Sequence, residues 1–205
     1  MSSAGGRRVG VLVSGRGSNL QALIDAVHAG ALDATLAVVI SNVPGAPALD
    51  RAAAAGIETL VMPHRDWPTR EAYDAAVAAA LNARDVALVC LAGFMRRLSA
   101  VFLEQFAGPV LNVHPSLLPS FPGLDGPGQA VAHGVKVAGC TVHLVTAELD
   151  AGPIVAQAAV AVRPDDTGAT LAARILVEEH RLLPAAVARL LAGGWRVDGR
   201  RFVDA

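Results

Sequence analysis

Residues 111–119 place an asparagine and a histidine two positions apart, Asn112 and His114, directly before Pro115. Side chains alternate along a strand, so both would point to the same face, and the proline would end the ladder. An amide that donates hydrogen bonds, beside an imidazole that takes or gives a proton, suits the tetrahedral oxyanion of acyl-type transfer. A lone histidine on a strand is usually structural, but this pairing at a strand end favours a functional role.

An acidic residue, Asp150, follows in a segment whose Gly152 and Pro153 predict a loop between strands. A carboxylate close to His114 would favour the protonated imidazole and fix its orientation. An exposed acid in a turn would have the same local sequence. Spacing alone therefore leaves both interpretations of Asp150 open.

Residues 14–19, Ser-Gly-Arg-Gly-Ser-Asn, join an apolar run to a helical pattern. Two glycines allow a tight turn, and the start of the helix offers free N–H groups and the positive end of the dipole, so phosphate is the natural ligand. A dinucleotide fingerprint is excluded, since Leu20 stands at the third glycine position and Ser41 and Asn42 replace the expected acid. The plain alternative is a strand-to-helix turn in which Ser18 caps the helix.

Short apolar runs alternate with helical spacing through the first half of the chain. The predicted strands are residues 8–13, 35–40, 57–62, 86–92 and 109–113, and the predicted helices are residues 19–28, 46–55, 69–83 and 99–105. This alternation predicts an α/β fold with a doubly wound, mostly parallel sheet and helices on both faces. Such a sheet places Asn112 and His114 at the carboxyl end of a strand, where ligands bind in these folds.

The second half of the chain has a different pattern. Strand-like residues 139–145 and 154–162 are joined by a turn, a long helix covers residues 168–192, and residues 195–203 suggest a hairpin about Asp198 and Gly199. These patterns predict antiparallel additions in the C-terminal half. Without a linker or an internal repeat, residues 1–205 are expected to form a single domain.

The overall charge disfavours several classes of partner. The chain has 17 Lys and Arg against 18 Asp and Glu, a net charge of −1, so nucleic acid and membrane are not expected as partners. The N-terminal residues do not form a targeting pattern, which predicts a cytoplasmic protein. Cys90 and Cys140 lie in apolar runs and are expected to be buried free thiols, and without a cluster of cysteine and histidine no metal site is expected.

Four stretches together resemble the phosphoribosylglycinamide formyltransferases, a family of folate-dependent enzymes. They are residues 13–21, 91–96, 111–119 and 149–153. The resemblance implies transfer of a formyl group from the co-substrate 10-formyltetrahydrofolate to the amine of glycinamide ribonucleotide, in de novo purine biosynthesis. It also implies a phosphate-binding half at about 7–107 and a catalytic and folate-binding half at about 108–205.

The resemblance implies a role for each matching position. The catalytic residues would be Asn112, His114 and Asp150, with His143 in support. The ribose phosphate would be held by Gly17, Ser18 and Asn19 with Arg70, and the amine by Glu179. The folate would be bound by Met95, Arg96, Leu98, Asn112 and Val145.

One segment departs from the family. Relatives generally carry a histidine before the pair Gln129 and Ala130, whereas residues 125–128 read Asp-Gly-Pro-Gly. Two glycines and a proline weaken a helix start, so a more mobile loop or a lowered activity is expected there.

Other functions stay open at this point. One is another enzyme that uses 10-formyltetrahydrofolate, a deformylase or a second kind of formyltransferase, although those would be expected to carry an extra domain. The other is a non-catalytic binder of a phosphorylated ligand. The sequence also leaves open whether the protein is a monomer or a homodimer.

Overall fold

A computed structural model of the protein describes residues 7–204. Its strands are β1 (Arg8–Val13), β2 (Thr35–Ser41), β3 (Thr59–Val61), β4 (Leu88–Leu91), β5 (Val110–His114), β6 (Val137–Leu144), β7 (Ile154–Ala161), β8 (Trp195–Asp198) and β9 (Arg201–Asp204). Its α-helices are α1 (Ser18–His28), α2 (Pro47–Ala54), α3 (Arg70–Asn82), α4 (Ala100–Gln105), α5 (Gly126–Ala132) and α6 (Gly168–Leu191). The strands of these residues form one sheet in the order β3-β2-β1-β4-β5-β6-β7-β9-β8.

The first of two compact units ends at Leu111 and contains β1 to β4, which pair in parallel. β1 pairs in parallel with β2 and with β4, and β2 pairs in parallel with β3. All four residues of β4 are buried, because strands of a parallel sheet are covered on both faces. The predicted α/β fold with a mostly parallel sheet is confirmed. The third strand is shorter than predicted, with three residues instead of six, and Val61 is half exposed at this edge of the sheet.

The second unit begins at Asn112 and contains the antiparallel additions. β6 pairs antiparallel with β7, and β8 pairs antiparallel with β9 around Gly199, whose φ of 61° suits a tight hairpin turn. α6 packs against β6 and β7. Its start is stabilised by a capping box between Thr167 and Thr170. The predicted antiparallel strands, long helix and hairpin are therefore confirmed.

A helix does begin within residues 125–128, despite their two glycines and proline, because α5 starts at Gly126. Asp125 is the N-cap, and its carboxylate accepts the Gly128 N–H at 3.1 Å. Pro127 lies in the first turn, where a missing N–H costs nothing. The two glycines of this segment allow close packing. A Cβ on Gly126 would lie 2.9 Å from the Pro115 carbonyl oxygen. Gly128 packs against Gly168, where an added Cβ would lie 3.1 Å from Gly128 Cα.

Both cysteines are free and buried, as expected, Cys90 in β4 and Cys140 in β6. Burial raises the pKa of the Cys140 thiol to about 12 and also raises the pKa of Cys90, because a thiolate is poorly solvated in an apolar interior. Among residues 7–204, no helix combines the length and the apolar character that crossing a membrane requires.

Candidate active site

A cluster of four side chains forms where β5 ends, all within the second unit. His114 Nδ1 lies 3.6 Å from Asp150 Oδ2, and His143 Nε2 lies 3.8 Å from Asp150 Oδ1. Asn112 Nδ2 lies 3.1 Å from His143 Nε2. The residues predicted to be catalytic therefore meet, together with the predicted supporting histidine.

Asp150 reaches this cluster from the connection between β6 and β7. Its φ of 49° lies in the left-handed region, which aspartate tolerates better than most residues. Its side chain is only 7% exposed, so the open interpretation of an exposed turn acid is wrong. A buried carboxylate needs partners, and the Gly123 backbone N–H donates to Asp150 Oδ2 at 2.8 Å.

The loop at residues 121–123 covers the pair formed by His114 and Asp150. His114 Nε2 lies 2.9 Å from the Phe121 carbonyl oxygen, which can only accept, so this nitrogen carries a hydrogen. The same loop supplies the Gly123 N–H to Asp150. Gln129 of α5 holds the loop by donating to the carbonyl oxygens of Pro122 at 3.3 Å and Leu124 at 2.8 Å. The helix that the sequence did not predict thus supports the loop over the site.

His143 is held as a hydrogen-bond acceptor toward Asn112. Its Nδ1 lies 3.0 Å from the Leu144 carbonyl oxygen and must donate to it. In the neutral ring Nε2 is therefore an acceptor, and it receives one N–H of the Asn112 amide. Burial lowers the pKa of His143 below its ordinary value and outweighs the hydrogen bond to Leu144 and the Asp150 charge, which both raise it. The neutral ring is the form that orients the amide.

This arrangement predicts a loss of stability in mild acid. The unfolded chain protonates His143 near 6.5, whereas the folded chain does so only at lower pH. Between these two values the unfolded state binds more protons, so the contribution of His143 is fully present above 6.5 and is lost as the pH falls toward the folded pKa. We measure the free energy of unfolding in urea from about pH 5 to pH 7.5. As the pH is lowered, this free energy is expected to decrease less steeply in His143→Gln than in the parent. Parallel slopes for the two proteins would contradict this assignment.

The glycine-rich turn of the first unit is held by α2. Gly17, with φ 73°, is the N-cap of α1 and makes no side-chain capping bond, so Ser18 is not the cap of this helix. The Ala48 N–H donates to the Gly15 carbonyl oxygen at 3.1 Å, and Arg51 Nε donates to the Arg16 carbonyl oxygen at 2.9 Å. The turn is braced through its backbone and begins an eleven-residue helix, which suits an anion site.

A methyl group at Gly17 is expected to disrupt this turn. A Cβ there would lie 2.6 Å from Ala48 Cβ and 2.8 Å from Ala48 Cα, in addition to the strain of a positive φ. We expect Gly17→Ala to raise the KM for a phosphorylated substrate about 10-fold, equivalent to about 1.4 kcal/mol, and to lower the Tm. The matched control is Gly30→Ala, which has φ 69° but no atom within 4 Å of the added Cβ. Equal effects of the two substitutions would contradict a role for the contact with Ala48.

The other predicted binding residues are spread over both units. Met95 is 70% exposed, Leu98 is buried, and the Arg96 guanidinium lies 5.0 Å from the centre of the Tyr73 ring. Burial raises the pKa of this tyrosine to about 12. Arg70 begins α3 and is paired with Glu71 at 3.3 Å, Glu179 is buried in α6, and Val145 follows the end of β6. Their roles stay predictions.

Sequence reasoning missed the backbone groups of Phe121 and Gly123, because every residue type except proline carries the same main-chain donor and acceptor. It also missed Gln129, although a polar residue in a short helix pattern was a signal. Within residues 7–204, no three His, Cys, Asp or Glu side chains are grouped as metal ligands.

An amide and an imidazole at the end of a parallel strand, backed by a buried carboxylate, are the groups expected of an acyl-type transferase. Residues 7–187 match the family described as "Formyl transferase", and the chain belongs to this family.

Several relatives carry more specific names. The chain is 42% identical over 190 residues to phosphoribosylglycinamide formyltransferase of Escherichia coli (strain K12), covering 93% of this chain and 87% of the relative. It is 50% identical to glycinamide ribonucleotide transformylase 1 from Symbiobacterium toebii, whose crystal structure superimposes with a TM-score of 0.94 over 96% of this chain and 93% of the other. It is also 50% identical over 189 residues to the trifunctional purine biosynthetic protein adenosine-3 of Drosophila melanogaster; this match covers 91% of the chain but spans only 14% of that longer protein.

Proposed function

We propose that the protein transfers a formyl group from 10-formyltetrahydrofolate to the amine of glycinamide ribonucleotide in de novo purine biosynthesis. The products are N-formylglycinamide ribonucleotide and tetrahydrofolate. The observation that carries this proposal is the cluster of Asn112, His114, His143 and Asp150 at the end of β5, in a chain that belongs to the formyl transferase family.

The reaction begins when the amine nitrogen attacks the formyl carbon. A new C–N bond forms, and the carbonyl oxygen becomes an oxyanion. The Asn112 amide and the His114 imidazolium donate hydrogen bonds to this oxygen, each contributing about 3 kcal/mol to the transition state. The intermediate then collapses, the bond from the carbon to the folate N10 breaks, and Asp150 helps to move a proton from the amine to N10 through water.

The loop at residues 121–123 determines when these groups become available. In the structure, His114 Nε2 is directed at the Phe121 carbonyl oxygen, and Asp150 accepts the Gly123 N–H. A shift of this loop frees a donor on His114 and an acceptor on Asp150 together. We propose that substrate replaces these two backbone contacts.

The two units contribute different binding groups. In the first unit, Gly17, Ser18 and Asn19 bind the ribose phosphate with Arg70, while Met95, Arg96 and Leu98 contact the folate. In the second unit, Glu179 meets the amine, and Asn112 and Val145 contact the folate. In this proposal residues 1–205 act as one functional domain, and the reaction needs no metal.

The test is a direct assay with glycinamide ribonucleotide and 10-formyltetrahydrofolate, with both products identified by mass. Formylated ribonucleotide and tetrahydrofolate in equal amounts support the proposal. A matched reaction with the unphosphorylated ribonucleoside is expected to be far slower, since the phosphate site is then empty. Formate without any formylated acceptor would instead identify a deformylase, and binding without turnover would identify a non-catalytic binder.

A further inference from the structure

Ser14, the last residue before the glycine-rich turn, is bonded twice to the connection after β4. Its backbone N–H donates to the Gly93 carbonyl oxygen at 3.1 Å. Its hydroxyl oxygen accepts the Met95 backbone N–H at 2.9 Å. One serine therefore holds both ends of the three-residue turn from Gly93 to Met95.

The hydroxyl hydrogen of Ser14 is directed at a second residue, Asn42, at the end of β2. Ser14 Oγ donates to Asn42 Oδ1 at 2.6 Å, and Asn42 is only 4% exposed. The other end of the amide, Asn42 Nδ2, lies 3.3 Å from His64 Nδ1. Asn42 thus sets the direction of the hydroxyl, so that the oxygen lone pairs of Ser14 face the Met95 N–H.

Packing alone does not define this turn. Phe94 is buried, but Gly93 has φ 73° with no atom within 4 Å of a Cβ built on it, and the Met95 side chain is 70% exposed. The residues on either side of Phe94 are therefore placed by the hydrogen bonds to Ser14. A directional hydrogen bond to a backbone N–H is worth about a factor of 10 in an equilibrium constant.

We propose that Ser14 and Asn42 are positioning residues that fix the backbone from Gly93 to Met95 for the folate co-substrate. The inference rests on the proposed function, since Met95 and Arg96 are assigned to folate there. Neither side chain needs to touch a substrate. Ser14 acts on the Met95 N–H, and Asn42 acts through Ser14.

The first measurement follows hydrogen exchange of the Met95 backbone amide, which does not depend on activity. In Ser14→Ala this amide loses its acceptor and is expected to exchange about 10-fold faster. The matched control is Ser99→Ala, which removes a buried hydroxyl that has no hydrogen-bond partner in the structure. Unchanged exchange of Met95 in Ser14→Ala would overturn the proposal.

The second measurement separates positioning from a general loss of stability. Ser14→Ala and Asn42→Leu are expected to raise the KM for 10-formyltetrahydrofolate about 10-fold, with kcat changed much less, whereas Ser99→Ala leaves both constants unchanged. Asn42→Asp keeps an oxygen acceptor for the Ser14 hydroxyl and is expected to restore most of the folate KM. Equal KM values in Asn42→Leu and the parent, or no recovery in Asn42→Asp, would overturn the role of Asn42.

If the transfer assay shows no product, binding of 10-formyltetrahydrofolate alone is measured by calorimetry to decide which proposal has failed. If the parent binds folate but does not transfer the formyl group, the proposed function falls, and weaker binding by Ser14→Ala still supports the positioning role. If the parent does not bind folate, both proposals fall.

Discussion

Replacing His114 by alanine is expected to lower kcat by about three orders of magnitude, because in the proposed mechanism this residue is both a donor to the oxyanion and the partner of Asp150. Its ring is 6% exposed and makes contacts through both nitrogens, to Asp150 and to Phe121. Alanine removes both contacts and leaves the Asp150 carboxylate with the Gly123 N–H and with His143 Nε2 at 3.8 Å. The loss in kcat should therefore exceed any change in KM.

The measurement is steady-state kinetics at saturating concentrations of both substrates, with thermal unfolding of the same samples. The control is His28→Ala, an exposed histidine at the end of α1. Asp150→Asn should lower kcat by a comparable factor. The double variant should lower kcat by much less than the product of the two single factors, since in the proposed mechanism the two residues act as a unit. A kcat within a few-fold of the parent in His114→Ala, with the fold intact, would remove His114 from the mechanism.

A methyl group at Gly152 is expected to lower kcat about 100-fold, because displacements of about 1 Å in a catalytic group have this effect. A Cβ at this position would lie 1.7 Å from the Leu144 carbonyl oxygen and 2.9 Å from its carbon. No side-chain rotation relieves a clash with backbone, so the connection between β6 and β7 must move. Asp150, two residues earlier, moves with it, away from His114 and His143.

Gly152→Ala should also lower the free energy of unfolding by about 3 kcal/mol, the scale of overpacking and backbone strain. The control is Gly134→Ala, which has no atom within 4 Å of the added Cβ. Its φ of 69° adds a backbone strain that Gly152 does not have, so a larger loss in Gly152→Ala reports the clash. Kinetics and urea unfolding of the two variants separate these effects. A kcat equal to that of the parent in Gly152→Ala would show that turnover does not depend on the position of Asp150.

The strands were predictable because their information is local. Apolar runs placed β1, β2, β4 and β5 within two residues of their observed bounds, and alternation placed Asn112 and His114 on one face. The antiparallel half was predictable for the same reason. The site residues could be named from the motifs, yet their contacts depend on which backbone groups approach them.

The start of α5 was not predictable, because its glycines are explained by tertiary packing. Gly126 passes the Pro115 carbonyl, and Gly128 passes Gly168 at the start of α6. Helix propensity considers neither neighbour. The tautomer of His143 could not be predicted for a similar reason. It depends on the position of the Leu144 carbonyl oxygen, and a backbone carbonyl is present in every residue type.

The two buried thiols can report local unfolding of the protein, because both are free and shielded from solvent. A thiol with a raised pKa in a closed interior reacts with an alkylating agent only when its surroundings open. Cys90 belongs to the first unit and Cys140 to the second, so each labels on the opening of its own unit. Alkylation followed by mass spectrometry would then report the opening around Cys90 and the opening around Cys140 in one sample, without any engineered probe.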